Sequence, residues 1–504
     1  MACAPTCRRS VRSILDSARL LGGLRHAPST SAAAGMELKS KAVERPQPAF
    51  DYDTFFRKET EFRLAQGMYD FFLPLHQRVN ASLPNQAGAA PDLYEQTADI
   101  IPKLDELLDS VTAEPGDMSR RLEQVTEDLR NVTVFATTDY LGLSAHPLLI
   151  ETMRRFTEKH GVSCTGSRYI TGNTLYLQML ERECARMHRQ ESSILFLSCF
   201  DANNCILSCL GSWLPGCIIY SDEGNHASII EGIQRSGGQK RIYRHCDTQH
   251  LEELLAADRE EEDADAPRPK VIVFESVYSM LGDISPVPEI VRLARQYGAL
   301  TFIDEAHSLG LFGENGRGIL ELQECEGEVD IVASTLGKGA GFQGGYVASS
   351  LGFTEAVRHR ARGFVFTSAL TPGMAATGLV ALRILQTAEG RELREKLFHN
   401  VATVRKLLEE EGIPLIRNDS HIVPVCVHHP ETVHILSRSL LHEFGVYVPA
   451  VRHPAVARGK ELLRVVPMPG HTAAQINHLV EALAMLWKRH DLPLTHTLHR
   501  DIIE

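Results

Sequence analysis

Four short segments, in a fixed order along the chain, carry residue types suited to chemistry on a carbonyl group. The last of them is Ser334-Thr-Leu-Gly-Lys-Gly-Ala-Gly, which places Lys338 among small residues just after an expected strand. A lysine in a tight, partly desolvated turn offers an amine that can attack an aldehyde. Gly-Lys-Gly alone is equally the sequence of a surface turn. Upstream, Leu300-Thr-Phe-Ile-Asp-Glu-Ala-His is an apolar run ending in Asp304, with His307 three residues on. An aspartate at the end of a buried strand is costly unless a cation meets it, and a protonated pyridine nitrogen is such a cation. A helix N-cap would use the same residue. Next, Ile218-Ile-Tyr-Ser-Asp runs into Glu223-Gly-Asn-His-Ala-Ser, where His226 could stack on a flat ring, act as an acid–base group or cap a helix. Finally, Ser198-Cys-Phe-Asp-Ala-Asn opens an expected helix after a strand, and first-turn N–H groups there favour a phosphate. Each segment is ambiguous alone. The order of phosphate turn, stacking histidine, aspartate and lysine is the informative part.

The elements that must hold these residues are legible as texture. From about residue 131, Val132–Phe135, Ser193–Ser198, Ile218–Ser221, Arg241–Arg244, Val271–Glu275, Leu300–Asp304, Ile331–Ser334 and Gly345–Ser349 read as strands. Helical patterns such as Pro147–His160, Leu175–His188 and Glu289–Tyr297 fall between them. This alternation predicts an α/β fold, an open and mostly parallel sheet with helices on both faces and ligands at its carboxyl edge. Beyond residue 375, Ile422–Val427, Val446–Val448 and Leu462–Val466 alternate with helices and suggest a smaller α/β domain. The expected boundaries are a leader at 1–45, an arm with an acidic insertion at 46–130, a large domain at 131–375 and a small one at 376–504.

Bulk properties exclude some classes. The 504 residues carry 52 Lys+Arg against 64 Asp+Glu, a net charge of -12, so a general nucleic-acid-binding face is not expected. No run approaches the roughly 18–20 apolar residues of a membrane span. The 11 cysteines lack paired spacing. Cys205 and Cys209 lie four apart, but no His or Cys cluster completes a metal site by spacing, and no metal is expected. Structural thiols in a reducing compartment are the simpler reading. The first ~36 residues hold Arg8, Arg9, Arg12, Arg19 and Arg25 against Asp16 alone, with Val11, Ile14, Leu15 and Leu21 able to share a helix face. That is the pattern of a mitochondrial transit peptide, although an arbitrary basic tail has the same composition.

The ordered segments resemble the α-oxoamine synthases, pyridoxal-phosphate enzymes that condense an amino acid with an acyl-CoA and release CO2; within them the 5-aminolevulinate synthases fit best. The resemblance covers roughly residues 48–494. It rests on Ser221-Asp-Glu-Gly-Asn-His-Ala-Ser-Ile-Ile-Glu-Gly-Ile, Tyr297-Gly-Ala-Leu-Thr-Phe-Ile-Asp-Glu-Ala-His, Thr335-Leu-Gly-Lys, Ser420-His-Ile-Val-Pro-Val and Leu440-Leu-His-Glu-Phe-Gly-Val-Tyr-Val. It implies an aspartate-aminotransferase-like fold and pyridoxal 5'-phosphate as cofactor. Lys338 would be the Schiff-base lysine and proton carrier, Asp304 the partner of the pyridine nitrogen, His226 the stacking residue and His307 a contact of the ring hydroxyl. Cys199 and Phe200 would form the phosphate turn, with Ser279 and Thr335 nearby. Thr367 and Ser368 would reach the phosphate of a neighbouring subunit, which implies a homodimer. Arg464 would hold the amino-acid carboxylate, and Ser221 and Lys240 would contact the acyl-CoA.

Departures cluster in the substrate pocket. The family's arginine for the succinyl carboxylate aligns with Asp70, unless the alignment of the arm slips. Thr138 replaces an asparagine, Ser167-Arg-Tyr-Ile-Thr-Gly puts Tyr169 where another asparagine is expected, and Ala455 replaces a threonine. Ser276-Val-Tyr-Ser-Met-Leu-Gly-Asp also looks like serine palmitoyltransferase. Three readings follow. One is a mitochondrial enzyme making 5-aminolevulinate from glycine and succinyl-CoA for tetrapyrrole and haem synthesis. A second is a related synthase with another acyl donor or amino acid. A third is a non-catalytic partner subunit, which the joint presence of Lys338, Asp304 and His226 argues against.

Overall fold

In a computed structural model the described residues are 132–261 and 267–495. The leader, the arm with Asp70 and the acidic insertion lie outside them. Twelve strands follow the chain: β1 (Thr133–Val134), β2 (Ser192–Phe196), β3 (Ile218–Asp222), β4 (Gln239–Tyr243), β5 (Lys270–Glu275), β6 (Ala299–Asp304), β7 (Ile331–Thr335), β8 (Gly345–Ser349), β9 (Val423–Cys426), β10 (Val446–Tyr447), β11 (Ala450–Val451) and β12 (Leu462–Val465).

Seven of these build one sheet in the order β2-β8-β7-β6-β5-β3-β4. β3 pairs in parallel with β4 and β5, β5 with β6 and β6 with β7, while β8 runs antiparallel to both its neighbours. The sheet is therefore the mostly parallel one its sequence texture predicts. β3, β5 and β7 are buried along their whole length and β6 from Thr301 onward, and their largely apolar runs are what a sheet covered on both faces requires. Their carboxyl ends lie in line, with Glu275 opposite Asp304 and Asp304 opposite Ala333.

The chain after residue 375 builds a second, antiparallel sheet in the order β11-β12-β9. The strand expected at 132–135 does not join the large sheet. β1 pairs instead with β10, Thr133 opposite Val446. One continuous apolar cluster runs from Phe135 and Tyr140 through the large sheet to Val465 and Trp487.

Two local devices shape the site. Gly345, the first residue of β8, lies so close to the start of the helix Cys199–Trp213 that a Cβ there would sit 2.3 Å from the Cys199 amide nitrogen. Only glycine lets that helix start press against the sheet. The second is an ion pair. Arg168 donates to the two carboxylate oxygens of Glu181 at 2.8 and 3.0 Å, with both side chains less than a tenth exposed. Arg168 also donates to Asn173, and Glu181 accepts from the Leu195 amide of β2, so the segment carrying Ser167 and Tyr169 is pinned to the sheet edge.

Removing one partner of a buried pair strands the other charge. Glu181→Ala is therefore expected to lower unfolding free energy by about 3–5 kcal/mol, measured by urea denaturation. A loss below about 1 kcal/mol, the ceiling for an exposed pair, would contradict this account.

Candidate active site

The four segments singled out by sequence converge at the carboxyl edge of the large sheet. Asp304 closes β6 and is nearly fully buried. Its carboxylate accepts from Asn203 at 2.6 Å and from the Ala306 amide at 2.8 Å, and the Cys199 thiol lies 3.8 Å away. Asn203 sits on the helix Cys199–Trp213, one turn in from the expected phosphate turn, so one helix serves both ends of the site.

Lys338 lies past β7 and is half-buried. Its Nζ is 2.7 Å from His307 Nε2, and His307 Nδ1 is 2.7 Å from the Tyr140 hydroxyl. Arg464, on β12, reaches that hydroxyl at 3.3 Å and donates through Nε to the Ser279 carbonyl. Burial, with the nearby charges of Lys338 and Arg464, holds His307 well below the ordinary histidine range, so it is neutral. An ammonium at Lys338 can only donate, so Nε2 must accept and the ring proton must reside on Nδ1, donated to Tyr140. One chain of contacts thus joins the amine to the guanidinium.

His226 caps the helix Ala227–Ser236, its Nδ1 accepting from the Ser228 amide, while its own amide donates to Glu275 at 2.6 Å. The helix-capping alternative is therefore realised, and the imidazole is still shared with the site. Burial and then Lys338 lower its affinity for protons, while Asp304 opposes them. A neutral ring suits a face placed against a cationic one. Glu275, directly across from Asp304, is pushed well above the carboxylate range by burial and by the Asp304 charge. It stays protonated, so the edge carries one negative charge there rather than two.

Other expected residues fall as follows. Ser198 caps its helix by accepting from Asp201, leaving the first-turn N–H groups of Cys199 and Phe200 without intrahelical acceptors. Thr335 accepts from the Gly337 amide and donates to the Gly344 carbonyl. Thr367 and Ser368 line a small pocket with Asp201 and Arg168. Ser221 is buried, accepts from Asn225 and donates to the Asp222 carbonyl, so its hydroxyl is engaged inside the fold, whereas Lys240 is exposed. Thr138 and Ala455 are exposed, Ser167 bridges Ser368, and the Tyr169 hydroxyl meets His359 Nδ1 at 2.6 Å. Tyr140, Asn203 and Glu275 were not singled out by sequence, though Glu275 ends an apolar strand as Asp304 does.

A model of class I and II aminotransferases matches residues 130–483. The erythroid-specific mitochondrial 5-aminolevulinate synthase of Opsanus tau is 36% identical over 94% of this chain and 77% of that protein. The 5-aminolevulinate synthase of Paracoccus denitrificans is 43% identical over 71% of this chain and 86% of that protein. The chain belongs to the 5-aminolevulinate synthase family. The match to the erythroid-specific protein of Danio rerio, at 42% identity, spans 61% of that relative's length. Among solved structures, a serine palmitoyltransferase from S. paucimobilis aligns with TM-score 0.67 and 30% identity, over 79% of this chain and 99% of that one. An 8-amino-7-oxononanoate synthase from Francisella tularensis aligns with TM-score 0.60 and 26% identity, over 72% and 99%.

The family's cofactor is pyridoxal 5'-phosphate, and the residues present fit it. They supply free first-turn N–H groups beside a glycine that admits close approach, a buried carboxylate with lone pairs to spare, a neutral imidazole and an amine.

Glu305, next to Asp304, is fully enclosed, and burial pushes its carboxyl up to about 7 against N–H bonds from Leu320 and Ile319. The folded chain then keeps a proton that the unfolded one, with an ordinary value of 4.5, has released. The stability this contributes is complete below about 4.5 and is lost as pH rises through about 7, a change of about 3 kcal/mol. Urea midpoints between those pH values are expected to vary less in Glu305→Gln than in the native chain; an unchanged slope would count against it.

Proposed function

We propose that this chain condenses glycine with succinyl-CoA to give 5-aminolevulinate, CoA and CO2, as a homodimer in the mitochondrion. The observation carrying this reading is the contact chain from Lys338 through His307 and Tyr140 to Arg464, which sets an amine and a carboxylate-binding guanidinium on one line. Glycine's carboxylate is complementary to the guanidinium, and the carbon next to it carries the proton that the lysine amine would take.

When bound, pyridoxal 5'-phosphate supplies an electron sink for the pair left at the amino acid's α-carbon. Asp304 would hold the proton on the ring nitrogen, with Asn203 and the Ala306 amide keeping the carboxylate aimed. His226 would cover the ring face, and Cys199, Phe200, Ser279 and Thr335 would hold the phosphate end. Arg464 would bind the glycine carboxylate in a charge-assisted pair, its guanidinium steadied by the Ser279 carbonyl and Tyr140. Lys338 Nζ, once a neutral amine, would take the α-proton, and neutral His307 would hold it in reach. The new C–C bond joins the glycine α-carbon to the thioester carbonyl, the CoA thiolate leaves, and the original carboxylate departs as CO2, replaced by a proton.

Two further points support this reading. Phe366 and Ile170 are about four-fifths exposed beside Thr367 and Ser167, an apolar surface suited to a second subunit that would receive Thr367 and Ser368. The arginine-rich leader and the mitochondrial relatives agree on the compartment. A different acyl donor is favoured by Tyr169, whose hydroxyl is already engaged by His359 and so does not replace a carboxylate-binding amide.

Purified protein supplied with glycine and a panel of acyl-CoAs is expected to release CoA and form 5-aminolevulinate with the succinyl donor. Turnover only with acetyl or long-chain donors would overturn the assignment. Lys338→Ala is expected to abolish turnover and the covalent cofactor absorbance together. Tyr140→Phe should raise the glycine KM about tenfold, near 1.4 kcal/mol, with a smaller effect on kcat.

A further inference from the structure

A second cluster of chemically capable side chains lies at the carboxyl ends of β3 and β4, apart from Lys338 and its contacts. A carboxylate oxygen of Asp222, a ring nitrogen of His245 and the thiol of Cys246 all lie within 4.8 Å of one another. Asp222 is nearly fully buried, and its two oxygens are fixed by N–H donors from Gly224 at 2.7 Å and Cys246 at 2.8 Å. Cys246 holds a left-handed backbone, φ +53°, which a non-glycine residue rarely adopts. Its Sγ sits 4.0 and 3.8 Å from the two ring nitrogens of His245. The far nitrogen, Nε2, faces the Asp283 carboxylate at 3.2 Å.

We propose that Asp222, His245 and Cys246 form a binding site for a divalent transition metal of the zinc class. One nitrogen, one oxygen and one sulfur ligand, with a water molecule as the fourth, is a donor set and coordination number zinc favours. A carboxylate behind the ligating imidazole, here Asp283, is the usual second partner that fixes tautomer and ring orientation. The ion takes the place of the proton that now joins Asp222 to His245 Nδ1 at 2.8 Å, and the thiol proton leaves as the thiolate binds. Bound metal would tie the end of β4 to the loop that leads from Asp222 to His226.

The cofactor-loaded enzyme, stripped with a chelator and dialysed against Zn2+, is expected to take up one zinc per chain, with binding that tightens as pH rises. Zinc K-edge spectroscopy should show a single sulfur scatterer. Cys246→Ser should weaken binding at least tenfold, and Asp283→Asn by about 10–100-fold. Substoichiometric uptake would overturn the proposal and leave the cluster an Asp–His–Asp latch. Equal affinity in Cys246→Ser, or a spectrum with two or more sulfurs, would overturn it as well, since another cysteine would then hold the ion.

Discussion

The site depends on a charged amine placed beside a histidine that cannot share its charge. Lys338 Nζ and His307 Nε2 are 2.7 Å apart, and His307 is kept neutral by its burial and by the cations on either side. Were the ring protonated, three positive groups would crowd one pocket. As a neutral ring it becomes a connector, accepting from the lysine and donating to Tyr140, whose oxygen also meets Arg464. The distance between amine and guanidinium is then set by side chains that are themselves packed and buried.

The negative side is arranged with the same economy. Parallel pairing of β5 with β6 puts Glu275 and Asp304 side by side, and one low-dielectric edge does not hold both as anions. Asp304 receives two hydrogen bonds, while burial and the neighbouring Asp304 push Glu275, beside the His226 amide, towards its protonated form. Behind Tyr140, His421 is fully buried and packs edge-on at 4.2 Å, and neither of its ring nitrogens has a hydrogen-bond partner. It too is held neutral, by burial and by the charges of Arg464 and Lys338. The substrate side of the pocket is thus cationic, flanked by uncharged imidazoles.

Much of this was legible in the chain. Strands β3, β5 and β8 stand out because they are buried along their whole length and so are written as largely apolar runs; Gly345–Ser349 is read to the residue. Lys338, Asp304 and His226 are legible because strand ends deliver them to one edge in order. The two-residue strands β1, β10 and β11 leave no periodic signal, which is why β1 was expected in the wrong sheet. Tyr140 reads as one more core aromatic, since nothing local says that its hydroxyl meets a residue 167 positions away. Asp222, His245 and Cys246 have no motif spacing because only the pairing of β3 with β4 brings them together.

His307 acts as a neutral connector with its proton on Nδ1. Nitrogen-15 NMR of the cofactor-free protein, with the His307 signals assigned by loss in His307→Asn, tests it directly. A protonated Nδ1 and an unprotonated Nε2 are expected to persist across the neutral pH range. An imidazolium signal, or a proton on Nε2, would contradict it.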